Sequence, residues 1–176
     1  MPFTPFHMGP GLLVKALLQG SFSLMVFGWA QIMMDIQPMI FMVTGSGQFH
    51  GFTHTYLGAG IIGLFSALTG KYAAQFALRR YYKARHLPIT WPVALFSAMV
   101  GTISHVVLDS FMHADMQQFA PFLHGNPMLH VISLEMLHNI CVVSALVGAI
   151  LYFAISRWLI AKQNKVILRN GPADAA

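Results

Sequence analysis

Charge is scarce in this sequence. Asp, Glu, Lys and Arg together make up 9% of 176 residues, against about 25% in ordinary soluble domains. Five acids and ten bases cannot clothe a water-facing surface, which excludes a soluble globular domain. An apolar content of 56% equally excludes intrinsic disorder, which requires low hydrophobicity. The single cysteine excludes a disulfide scaffold or a multi-Cys zinc module. Cys141 lies in an apolar run with no activating neighbour. No Lys/Arg stripe interleaves with aromatics, so nucleic acid is not an expected partner. There is no β alternation, repeat or low-complexity tract. Thr44-Gly45-Ser46-Gly47 lacks the first glycine of a nucleophile elbow. Thr69-Gly70-Lys71 lacks the upstream glycine of a phosphate-binding loop. The N-terminus has no basic n-region or cleavage site and does not read as a signal peptide.

The remaining class is an all-α, polytopic integral membrane protein. The sequence predicts a bundle of about four to five membrane-embedded helices, with the lipid bilayer as its partner. Residues 1–161 read as a single membrane-embedded domain and residues 162–176 as a polar, frayed cytoplasmic tail. Apolar helical segments fall at 12–18, 22–34, 56–78, 91–112 and 136–160. The first third allows two readings. One is a shallow hairpin descending from His7, turning near Gly20 and rising to Asp35. The other is a single span over 22–43 with Asp35 inside it, against which Pro38 counts.

The bases orient the chain. Arg79, Arg80, Lys83 and Arg85 fill the connection between the segments at 56–78 and 91–112, and Lys162, Lys165 and Arg169 follow the last span. If each long segment crosses once, these lie on one side, which the positive-inside rule makes cytoplasmic. The connections at 36–55 and 113–135 contain no Lys or Arg and are expected outside. The expected location is a bacterial inner membrane, with the C-terminus in the cytoplasm.

Nine histidines outnumber the five acids, and the two types keep company. Asp35, Asp109, Asp115 and Glu135 lie within or beside apolar segments, where an ionised group costs about 2.5–3.5 kcal/mol at bilayer depth. That cost calls for a paired, wet or metal-bound site. His105-x-x-x-Asp109 places both side chains on one helix face, and His113 is a further four residues along. His50-x-x-x-His54 repeats the spacing before another span. Imidazole nitrogen and carboxylate oxygen suit Zn²⁺, and also Mn²⁺ or Fe²⁺. Taken singly, each His reads as an interfacial hydrogen-bonding residue; together they point to one shared metal site at the outer interface. Met and Phe read as lipid-facing or core residues.

The opening PFTPFH, the isolated Asp35, the HGFTH of 50–54 and the SHVVLDSFMHAD of 104–115 resemble the YdjM-like putative membrane-bound metal-dependent hydrolases, over roughly the first two thirds of the chain. Their order is also distantly similar to the all-α zinc-dependent phospholipase C and nuclease fold. There the ligands run His, Asp, His, His-x-x-x-Asp, His, then His-x-x-x-Glu. By that resemblance His7, Asp35, His50 or His54, His105, Asp109 and His113 fill the first slots. The last slot departs, since Glu135 stands five after His130 and three before His138. One or two ions are therefore expected rather than three.

The expected function is metal-dependent hydrolysis of an ester or phosphoester, with a lipid or lipid-linked substrate favoured by a site at headgroup level. Asp35, His54, His105 and Asp109 are the principal ligands, with His7, His50 and His113 beside them. Asp115, Glu135 or His138 is expected to move the proton. A metal-ion or proton transporter using the same cluster is the alternative. Haem ligation and a purely structural His–acid network are further readings, and Asp109 one turn from His105 argues against the haem.

Overall fold

The structure, a computed structural model, describes residues 4–82 and 88–170. Lys83, Arg85 and the last six residues of the expected tail lie outside them. Five helices carry the fold: α1 (Thr4–Leu18), α2 (Leu24–Thr44), α3 (Tyr56–Tyr82), α4 (Trp91–Ser110) and α5 (Leu134–Asn170). No strand occurs among the described residues. The helices α2 to α5 are each long and apolar enough to cross a membrane. The 15 residues of α1 rise only about 22 Å, short of a hydrocarbon core about 30 Å thick.

Both readings of the first third meet in one structure. The chain reverses through a tight turn, Gln19–Ser21, as a hairpin requires. Ser23 then caps α2, its hydroxyl accepting from the Val26 N–H, while its own N–H donates to Ser97 Oγ of α4 at 2.8 Å. From there α2 continues past Asp35 and through Pro38 to Thr44. The objection from Pro38 fails because this proline is buried. Inside a membrane bundle, neighbouring groups offset the one helical hydrogen bond that it removes. Gly45, at φ +67°, ends the helix and returns its N–H to the Phe41 carbonyl.

The tail also differs from expectation. Instead of fraying after Ile160, α5 runs through Lys162 and Lys165 to Asn170. No Gly or Pro interrupts 161–170; the pair Gly171-Pro172 comes only afterwards.

Small residues let the helices approach. Ala30 of α2, Ala67 and Ala74 of α3, and Ala94 and Ala98 of α4 form a buried seam. Against lipid there is little hydrophobic drive between helices, so close van der Waals contact has to supply the cohesion. α1 lies along α5. A Cβ on Gly9 would strike the Cys141 carbonyl, and one on Gly148 would strike the backbone at Leu12 and Leu13.

Two ends result. At one, Ser156 of α5 donates to Gln19 in the α1–α2 turn at 3.1 Å, and Pro88, Ile89 and Thr90 ahead of α4 lie beside the same turn. At the other, the start of α1, the α2–α3 connection, the end of α4 and the start of α5 come together. The segment after α4 is folded over that second end by Asn126. Its amide donates to the Ser110 and His113 carbonyls at 2.7 and 2.8 Å and its Oδ1 accepts from Gln118 at 2.9 Å.

Candidate metal centre

The inward stripe of α4 ends in His105 and Asp109, one turn apart and both buried. α2 brings Asp35 to the same level, and α1 brings His7. The Phe52–His54 turn presents His54 just before α3, and the loops add His50 and His113. All seven metal candidates read from the sequence meet at this end.

Asp109 is the hub. Its Oδ2 lies 3.2 Å from His105 Nε2 and 3.7 Å from His54 Nε2, and its Oδ1 lies 3.2 Å from His7 Nε2. His105 Nε2 is also 3.4 Å from Asp35 Oδ1. The His7 and His105 rings stack at 4.6 Å, and the His50 and His113 rings lie 4.2 Å apart. Two ligand sets emerge, Asp35 with His54 and His105, and Asp109 with His50 and His113, each with donor atoms within 4.8 Å of one another.

Several of these atoms meet only as ion pairs, without well-aligned hydrogen-bond geometry. His7 Nε2, His54 Nε2, His105 Nε2, His113 Nε2 and Asp109 Oδ1 are buried without a hydrogen-bond partner. An unpaired buried polar atom costs about 1–3 kcal/mol. The spacing itself suggests the remedy. Two ligands about 2.1 Å from one tetrahedral ion stand about 3.4 Å apart, close to the separations seen here. The residues therefore fit a divalent metal.

The outward-turned nitrogens are held in place. His105 Nδ1 donates to Gln31 Oε1 at 2.6 Å, and the Gln31 amide is fixed on the Gly101 carbonyl at 3.1 Å. His54 Nδ1 bonds Thr53 Oγ1 at 3.0 Å, while the Thr53 hydroxyl donates to Gln37 Oε1. His50 Nδ1 meets both oxygens of Asp115 at 2.9 and 3.0 Å. A proton held on Nδ1 leaves the Nε2 lone pair for a metal, and such partners orient ligating imidazoles. Burial, with His105 adding to it, pushes His54 down to about 3, so it is neutral at neutral pH. Burial also lowers His113. Partial burial raises the Asp115 carboxyl, but the His50 hydrogen bond outweighs it and holds the group below the usual range.

The three residues expected to move protons are placed differently from one another. Asp115 stands at the rim, its side chain 52% exposed and bonded to His50. Glu135 is exposed in the first turn of α5 and forms no ion pair among the described residues. His138 lies against Phe6, ring centroids 4.8 Å apart. Neither joins the two ligand sets. Gln31, Gln37 and Thr53 did not stand out in the sequence. Gln31 carried one signal, an amide in an apolar helix four residues before Asp35 and hence on the same face.

No family model, curated protein or solved structure matches the chain.

Proposed function

We propose that this chain is a membrane-embedded hydrolase using one or two divalent ions, Zn²⁺ foremost, to cleave an ester or phosphoester with water. One observation carries the reading: buried atoms of four histidines and Asp109, close together but without well-aligned hydrogen bonds, gather at one end of the bundle. A bound divalent ion would supply Lewis acidity and lower the pKa of its water from about 15.7 toward about 7. Asp109 would hold an ion with His50 and His113, while Asp35, His54 and His105 would hold another. Asp35, with a side chain 35% exposed, closes the first set. Asp115 aligns His50 and, from the half-exposed rim, receives a proton. The YdjM-like resemblance supports this chemistry, and the bases Arg157, Lys162 and Lys165 on the far half of α5 support a site facing outward.

A proton or ion relay would need titratable groups continuing through the bundle. The buried polar residues on the inner side of the cluster include Ser66, Ser97 and Thr102, which do not titrate; Lys15 lies beyond them on the Gln19 and Phe22 carbonyls, and no buried His, Asp or Glu among the described residues links it to the cluster, which counts against a relay. Metal analysis of purified protein against the His105→Ala/Asp109→Ala double variant tests the centre. Equal metal in both sinks it. Bound metal with no turnover of chromogenic carboxylic, phosphomono- and phosphodiesters sinks the hydrolase.

A further inference from the structure

The segment after α4 presents an uncharged, apolar patch. No Lys, Arg, Asp or Glu occurs from Met116 to Leu134. Phe122 is 88% exposed, Leu123 is more than half exposed, and Phe119 is partly so. With Tyr56 and Leu57 they border an open hollow of about 250 Å³. The patch is fixed to the bundle. The Phe119 ring lies 5.2 Å from that of Tyr56, and the Gln118 carbonyl accepts from the Tyr56 N–H at 2.8 Å. Tyr56 is the first residue of α3, and the first N–H groups of a helix point out of its end. Residues 118–123 therefore stand beyond the end of a helix able to span a membrane.

Two features say what surrounds the patch. The first is continuity. Leu57, Ile61, Leu64 and Leu68 form one stripe of α3, each about half exposed, at the spacing of a single helix face. On a spanning helix that face meets lipid. The hollow shares Leu57 with the stripe, so the patch prolongs the lipid-facing side of α3. The second is length. At the other end of α3 the Lys71 ammonium lies 3.9 Å over the Trp91 ring, and the Tyr72 ring is 6.1 Å from it. Trp, Tyr and a snorkelling Lys mark a membrane interface. From Tyr56 to Lys71 α3 rises only about 22 Å, against a hydrocarbon core about 30 Å thick. The missing length lies beyond Tyr56, where Phe119, Phe122 and Leu123 stand.

We infer that Phe119, Phe122 and Leu123 insert into the boundary between headgroups and acyl chains on the metal-centre side of the bilayer, so that lipid covers this patch. The inference goes beyond the hydrolase reading and does not depend on it. It gives the bilayer a part in holding the cap, because the same segment carries His113 and Asp115. Asn126 ties the two parts of that segment together, donating to the His113 carbonyl and accepting from the Gln118 side chain. Apolar and aromatic side chains at this depth replace water contacts with lipid contacts, as in interfacial anchors.

The test uses the full chain in phosphatidylglycerol/phosphatidylethanolamine vesicles, with Cys141→Ala removing the one native thiol. Nitroxide labels are attached through Phe122→Cys, through Ile150→Cys on the exposed middle of α5, and through Asn164→Cys on its exposed basic end. Power-saturation spin resonance compares collisions with oxygen, which concentrates in the bilayer, and with a nickel chelate, which stays in water. The oxygen-to-nickel ratio at position 122 should be severalfold above that at 164 and nearer to that at 150. A ratio at 122 equal to that at 164 places the patch in water and overturns the inference. Spin–spin broadening at 122 that vanishes on dilution with unlabelled protein overturns it in favour of a second copy. If the Phe122→Cys protein does not fold, a label at Leu123→Cys decides by the same criteria. A shielded label in protein that binds no metal leaves the membrane contact standing and removes the hydrolase.

Discussion

The inward stripe of α4 divides into two halves with opposite construction. Ala94, Ala98 and Gly101 occupy its inner half, where Ala98 and Ala94 meet the alanines of α2 and α3 and Gly101 touches Phe27 and Ala30. His105 and Asp109 continue the same stripe in steps of four residues, and there the neighbours are His7, Asp35 and His54. In one half small residues let the helices meet closely, so that dispersion contacts hold them together. The other keeps ligand atoms 3.2–3.7 Å apart as ion pairs without well-aligned hydrogen-bond geometry. The contrast places cohesion in the alanine seam and residues able to hold a metal at the histidine end. Substitutions in the two halves should therefore fail in different ways.

Asp109→Ala should break the comparison most severely. It removes the shared partner of three histidines, and loss of one member of a buried charged network costs about 3–5 kcal/mol. Metal content should fall to background. EDTA should lower the Tm of the wild type, because a ligand bound to the native state stabilises it, and should leave the variant's Tm unmoved. Next, Ala98→Leu should overpack the seam and cost about 1–3 kcal/mol. Its Tm should fall while metal stoichiometry stays at the wild-type value; a fall in metal would show that the halves are not independent. Gln31→Leu removes the acceptor that orients His105, and metal affinity should drop about 10–100-fold, the usual effect of losing such a partner. Gln31→Glu keeps an acceptor oxygen and should restore most of the affinity, which competitive chelator titration would measure. The smallest effect belongs to Asp115→Asn. Half exposed, it should weaken metal binding by no more than about tenfold, through looser alignment of His50. A larger loss would move Asp115 from positioning into ligation.

Much of the centre was legible because local spacing carried it. His105 and Asp109 share a face on any α-helix, whatever packs against it. Asp35 declared itself because an acid in an apolar segment is costly without a partner. Gln31 was much harder to read. An uncharged amide carries little penalty by itself, and its role depends on a His105 ring supplied by another helix. Thr53 and Gln37 share that problem, since their link spans 16 residues and exists only once the α2–α3 connection has folded back. Pro38 misled in the other direction. The rule against a helical proline assumes that the lost hydrogen bond stays lost, and a buried position in a bundle relaxes it. Glu135 and His138 were singled out beside the last, departing slot of the resembled ligand order. The pairing of α5 with α1 leaves Glu135 on the outside and turns His138 toward Phe6.

By itself the sequence determined the all-helical, membrane-apt class, the positions of the long apolar helices and the types of ligand available. Those follow from composition and from periodicities that act within a few residues. Only the tertiary structure decided that the first third is both a hairpin and a span. It also decided which imidazole nitrogen faces inward, and that Asp109 stands among the histidines of three other segments. Such facts depend on distances between residues up to a hundred positions apart, and side-chain chemistry does not encode those distances until the helices have packed.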